Sequence, residues 1–139
     1  MIEIWDEIGA AAPDEEIEDL CEVVRETCAA IHLYLRHGHL GRVYENALAH
    51  RLRRQALAVA QQTPLSVYDE DGVHLGSLVA DLLVEGLLLI RVKTCPALRP
   101  EHEIEAIGQL AAARLVHGLV VNFGAPAFEA RRVFRAETR

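Results

Sequence analysis

Residues 80–95 read ADLLVEGLLLIRVKTC. The run is apolar enough for two buried strands with a turn around Gly86. Yet it carries Asp81 near one end and Arg91 and Lys93 near the other. Ionised groups in such a hairpin must be paired, must reach solvent or must line a site, because an isolated charge is costly to take out of water. Register decides whether they meet. A two-residue loop, Glu85-Gly86, sets Asp81 opposite Ile90 and sends Arg91 to the other face. A three-residue loop, Glu85-Gly86-Leu87, sets Asp81 opposite Arg91, with Lys93 two residues further along the same face. Both loop lengths are common in hairpins, and the apolar pattern does not choose between them.

Upstream, PLSVYDEDGVHLGSLV continues the period of two and has an Asp71-Gly72 turn signal, so 64–93 reads as three strands. Before it come two amphipathic stretches. In the first, Ile17, Leu20, Val24, Ile31 and Leu35 recur at helical spacing, with Gly38 as the stop signal. The second runs from Arg42 to Gln61, with Val43, Ala47, Leu48 and Leu52 on its inner face and Arg51, Arg53 and Arg54 pointing to solvent. Downstream, RPEHEIEAIGQLAAARLVHG predicts a third helix with Pro100 in its first turn and Gly118 at its stop. LVVNFG follows as a short buried strand, and FEARRVFR as an edge strand. The order ααβββαβ(β) implies an α/β fold with a central mixed sheet flanked by helices. The helix before LVVNF implies a crossover, and hence a parallel pair with the third strand.

A chain of 139 residues suits one domain, here 14–139 behind an acidic N-terminal segment, 1–13. Residues 1–26 hold ten acids and one arginine, a balance of −9, which leaves +2 on the rest of a chain whose total is −7. The arginines at 36, 42, 51, 53 and 54 therefore offer a polyanion-facing side despite the acidic total. No apolar run approaches the ~20 residues that span a bilayer, so no membrane partner is expected. The acidic N-terminus lacks the basic start of a secretory signal. Three cysteines, Cys21, Cys28 and Cys95, are an odd count without metal spacing and suggest free thiols and a cytoplasmic location. His32, His37 and His39 do not have the spacing of a zinc motif. Trp5 reads as an anchor for the N-terminal segment or as a partner contact. There is no glycine-rich phosphate loop, and no aromatic stripe of the kind single-strand binders stack on.

Several ordered blocks carry a resemblance: VYENAL at 43–48, TPLSVYDEDGVHLGSLVADLLVEG at 63–86, LIRVK at 89–93, PEHEIEAIGQL at 100–110 and GLVVNFGAP at 118–126. Together they resemble the bacterial GxxExxY proteins, a branch of the PD-(D/E)XK nuclease superfamily, from about Val24 to Phe134. His32, Gly38, Val43, Tyr44 and Asn122-Phe123-Gly124 also fall where that pattern expects them. The resemblance implies the three-residue loop, with Asp81, position 91 and Lys93 presented together to a divalent metal. In such a site two carboxylates hold Mg²⁺ through oxygen, the metal activates the attacking water, and the lysine orients that water and adds positive potential.

The chain departs from this pattern at the positions that matter. The family's GxxE ends here at Gly41, its E-x-K is Arg91-Val92-Lys93, and its helical Gln is Glu105. Only Asp81 and Lys93 remain of the catalytic signature. A guanidinium at the second ligand position repels Mg²⁺ and offers Asp81 a replacement partner. The expectation is therefore a nuclease-fold protein with a degenerate metal site, non-catalytic and without a cofactor, serving as a nucleic-acid-binding or scaffolding module with Arg51, Arg53 and Arg54 as contacts. One alternative is a Mg²⁺-dependent DNA nuclease using Asp81, Glu105 and Lys93, with Glu105 as a relocated acid; the simpler role for Glu105 is to pair with Arg91 or with a surface arginine. Another is a protein-interaction or homo-oligomeric module that does not touch nucleic acid.

Overall fold

The structure is a computed structural model that describes residues 14–136; the side chain of residue 14 lies outside the described set, as do Trp5 and the acidic segment 1–13. Its elements are α1 (Asp14–Leu35), α2 (Gly41–Arg54), β1 (Val59–Tyr68), β2 (His74–Val84), β3 (Leu88–Lys93), α3 (Pro100–Ala113), β4 (His117–Asn122) and β5 (Glu129–Phe134). The strands form one mixed sheet in the order β1-β2-β3-β4-β5. All neighbours are antiparallel except β3 and β4, which run parallel through the α3 crossover, as the sequence predicts.

Each face of the sheet has its own core. On one face α1 and α2 cover Leu82, Val84, Leu88, Ile90, Leu119, Val121 and Phe123. On the other, α3 lays Ala106 and Leu110 against Leu65, Ala80, Leu89, Val120 and Val133. The helix stripes explain this division. Ile17, Leu20, Cys21, Val24, Cys28 and Ile31 line one side of α1, and Tyr44, Leu48, Ala49 and Leu52 line one side of α2. Tyr44 stacks on Phe123 with centroids 4.6 Å apart and the rings 5° from parallel. Its hydroxyl donates to the carbonyl of Arg36 and accepts the His39 N–H, which closes the loop between α1 and α2. Val43, expected inside, is on the exposed side of α2.

All three described helices stop where the sequence gives no glycine. Arg36, Ala56 and Arg114 each take a left-handed conformation, with φ of 62°, 67° and 60°. At Ala56 the N–H of Leu57 reaches the carbonyl of Leu52 while the N–H of Ala56 reaches that of Arg53, and the same pair of bonds recurs at Arg114. These are Schellman turns, usually built on glycine. The second helix consequently ends at Arg54 and not at Gln61, and β1 starts at Val59, five residues before the expected Pro64. Gly38 and Gly118 are not helix stops; Gly118 lies inside β4.

Midway along β1 and β2 the side-chain alternation changes face. Leu82 and Val84 point to the α1/α2 core, but Ala80, an even number of residues away, belongs to the α3 core. In β1 the same exchange separates Val59 from Leu65. The ladder skips the Gln62 and Asp81 positions, between the pairs Gln61↔Leu82 and Thr63↔Ala80, and Gln62 has φ 51°. Two strands that change face together at one level make a local kink, the kind of irregularity that re-aims side chains.

Candidate functional site

The hairpin register is Val84↔Leu88, Leu83↔Leu89 and Leu82↔Ile90, closed by Leu87 N–H to the Val84 carbonyl. This is the three-residue loop. Glu85 and Gly86 both have positive φ (58° and 66°), and the Glu85 carboxylate accepts the Ala58 N–H. Extended by one residue, the register sets Asp81 opposite Arg91. Alternation from Leu89, on the α3 side, directs Arg91 and Lys93 toward that side, whereas Asp81 lies at the kink, where alternation does not carry over, and its carboxylate meets the Gln62 amide and the Val92 N–H.

Backbone pairing of β2 with β3 ends at Leu82↔Ile90, and β3 continues alongside β4 as far as Lys93↔Asn122. The strands part at Asp81, whose carboxylate fills the fork. Its Oδ2 accepts the Val92 N–H at 2.8 Å, and its Oδ1 lies 3.4 Å from the Gln62 amide nitrogen. That nitrogen also donates to Glu45 Oε1 at 2.8 Å. One amide group thus stands between two carboxylates. Glu45 projects from the inner side of α2 and is 4% exposed; its Oε2 accepts from the Gln61 amide at 2.8 Å, and Arg42 flanks it at 3.6 Å.

Arg91 forms no ion pair or hydrogen bond with Asp81. The expected pair is replaced by one across the sheet–helix interface, with Arg91 Nη2 3.4 Å from Glu105 Oε1 on α3. The reason is directional. Asp81 already has backbone and amide donors in the fork, whereas Arg91 lies on the strand beneath α3 and reaches up to it. The arginine side chain is 18% exposed and that of Glu105 51%, so this pair is only partly withdrawn from water. Arg91 Nε is buried and has no hydrogen-bond partner among the described residues. No hydrogen bond or ion pair is found among the described residues for the half-buried Lys93 ammonium.

Position 41 is the first residue of α2, with nothing within 4 Å of where a Cβ would sit. Glu45 is one turn further along, on the same side of the helix. Sequence reasoning missed both Glu45 and Gln62. The available signals were an acid next to Tyr44 on the apolar side of α2, and the paired amides Gln61-Gln62 at the head of an otherwise apolar strand.

Oxygen ligands for a hard divalent cation must be free and convergent. Here Glu45 and Asp81 are turned onto the Gln62 amide, and Glu105 onto Arg91. Among the described residues no group of three His, Cys, Asp or Glu side chains is placed to hold a metal ion. The donor set as arranged does not fit Mg²⁺.

The α2 arginines divide. Arg53 is tied to β1, donating to Gln61 Oε1 (3.2 Å) and to the Val59 carbonyl (2.9 Å). Arg51 and Arg54 line a surface cavity of about 410 Å³ with Glu26, Thr27 and Gln55. Just past Lys93, Asn122 accepts the Cys95 N–H and donates to the Cys95 carbonyl and to Glu129. Hydrogen bonds from Asn122 and then from the Leu98 N–H hold the Glu129 carboxyl below the usual range. A Cβ on Gly124 would fall 2.4 Å from the Cys95 nitrogen, so only glycine lets β4 leave so close to this loop. All three cysteines are free thiols, and burial pushes Cys28 and Cys21 upward. No described helix is long and apolar enough to cross a membrane.

The model of the PD-(D/E)XK nuclease superfamily matches residues 18–133. No curated protein matches the chain. Among solved structures it is similar to the crystal structure of SSO0001, with a TM-score of 0.58 and 12% identity over 70% of this chain and 51% of that one. The chain spans about half the length of that neighbour, and the likeness is one of fold.

Proposed function

Since the chain belongs to the PD-(D/E)XK nuclease superfamily, we propose that it is a non-catalytic member, of the GxxExxY type in its motifs, that works as a nucleic-acid-binding module without a metal. The observation that carries this reading is Arg91. It stands where a GxxExxY nuclease has its second metal ligand, and it is ion-paired with Glu105, the one acid on α3 that a relocated site would use. Phosphodiester cleavage in this fold needs a cation held by at least two oxygens. Restoring Glu105 as a ligand would mean breaking its pair and seating a dication beside a guanidinium. Asp81 and Glu45 already accept hydrogen bonds on all four of their oxygens.

The test is an overnight plasmid digest in Mg²⁺ and in Mn²⁺ with wild type, Lys93→Ala and Glu105→Gln. Wild type is expected to leave supercoiled DNA intact. Nicking that Lys93→Ala or Glu105→Gln abolishes would overturn the reading in favour of a working nuclease.

A further inference from the structure

We infer that the outer face of the α1–α2 pair is a docking surface for a second copy of this chain, which closes a two-fold dimer. The inference goes beyond the nucleic-acid-binding reading and stands on a different part of the molecule. The inner stripes of both helices are buried against the sheet. At the end of α2 the Gln55 amide donates to the Thr27 hydroxyl of α1 at 3.0 Å, which sets the level at which the two antiparallel helices meet. Helical spacing then gives the outer stripes: Glu26, Ala30, Leu33 and Tyr34 on α1, and Val43, Ala47, Arg51 and Arg54 on α2. The cavity of about 410 Å³ is lined by Glu26, Ala30, Arg51 and Arg54, so both stripes belong to one face.

This face has two zones. At the loop end it is apolar: Leu33, Tyr34, Leu40 and Val43 are 68%, 77%, 79% and 41% exposed. Together they leave roughly 500 Å² uncovered, in the range of the largest patch on a typical monomer, ~300–600 Å², which is often functional. At the other end it carries both signs of charge. Glu26, Arg51 and Arg54 form no ion pair among the described residues. A two-fold axis parallel to the helix pair lays α1 of each copy over α2 of the other at the same level. Glu26 then meets the partner's Arg54, and Leu33 and Tyr34 meet the partner's Leu40 and Val43, each twice over. The four helices make the antiparallel packing of a bundle. The apolar zone alone supplies more than half of the ~800 Å² per copy that a standard interface buries, and the charged zone adds to it. Nucleic acid fits this face poorly, because a phosphate backbone gains nothing from Leu33, Tyr34 and Leu40 and is repelled by Glu26.

The experiment is sedimentation equilibrium of the full chain over a concentration series, with thermal melts to verify that each variant folds. Wild type is expected to reach twice the chain mass. Tyr34→Glu should raise the dimer dissociation constant by about 30-fold or more, as loss of an interface anchor does. Arg54→Glu and Glu26→Arg each set like charges against each other at both contacts, and each should be monomeric alone. Mixed in equal amounts they restore opposite charges at both contacts and should dimerise, a recovery that a structural role within one chain does not give. Variants that dimerise as tightly as wild type, or a mixture that stays monomeric, would overturn the inference. So would a monomeric wild type. In that case loss of DNA binding by Arg54→Glu would give the arginines to nucleic acid, and a shift in the emission of Trp5, the one tryptophan, on Tyr34→Glu would give the face to the N-terminal segment.

Discussion

The partner of Arg91 can be decided by two double-mutant cycles, one with Glu105 and one with Asp81. At 3.4 Å, opposite unit charges interact by about 1 kcal/mol under water-like screening and by about 5 kcal/mol at an effective dielectric of ~20. Glu105 is half exposed, so the coupling should lie near the lower figure, about 1 kcal/mol. The single variants should be unequal. Glu105→Ala leaves a mostly buried guanidinium whose Nε is already unpartnered, at a cost of roughly 1–3 kcal/mol. Arg91→Ala leaves a carboxylate that water can solvate, and it loses the packing of the arginine stem. The assay is urea denaturation of wild type, Arg91→Ala, Glu105→Ala, Asp81→Asn and the two double variants, with common m-values as the control. Coupling should be about 1 kcal/mol with Glu105 and smaller with Asp81. A larger coupling to Asp81, or a cost of roughly 3–5 kcal/mol for Arg91→Ala with no Glu105 coupling, would mean a buried hairpin ion pair. That result would refute the reasoning.

Two further outcomes follow from the geometry. Gln62→Ala removes the amide shared by Glu45 and Asp81 and leaves two close carboxylates with fewer donors; a loss of roughly 1–3 kcal/mol in urea melts is expected, and a neutral result would show that the bridge does not hold the fork. Ala56→Gly relieves a left-handed residue, which costs about 1–2 kcal/mol, against a glycine entropy penalty of about 0.5–1 kcal/mol; the midpoint of urea unfolding should therefore rise, and a fall would contradict the Schellman turn.

Element order, the parallel crossover and both tight turns were legible because each rests on local periodicity or on turn residues. The hairpin register was not legible from periodicity; the family's motif supplied it. The ends of the helices failed for a specific reason. Left-handed stops were sought at glycines, but the chain uses Arg36, Ala56 and Arg114, residues with no local signature for that conformation. At the site the ladder stops one residue short of Asp81 and Arg91; the partner of Arg91 comes from α3 and that of Asp81 from β1. The pairing of Arg91 with Glu105 was among the sequence readings, through the family's position on the helix, whereas that of Asp81 with Gln62 has no sequence spacing to betray it. Glu45 and Gln62 were hidden for the same reason, since they matter only because α2 lies across the kinked strands.

Strand neighbours in this sheet are also neighbours in the chain. Every antiparallel pairing closes a short connection, and only β3 with β4 must wait for a helical crossover. Closing a short loop costs less chain entropy than closing a long one. The β1–β2–β3 meander is therefore the part that can assemble from local contacts, ahead of the α3 crossover. On that route Asp81, Arg91 and Lys93 are set in place by the hairpin, and Glu105 arrives afterwards with the helix that carries it. The cationic strand is built first and its counter-charge is delivered last.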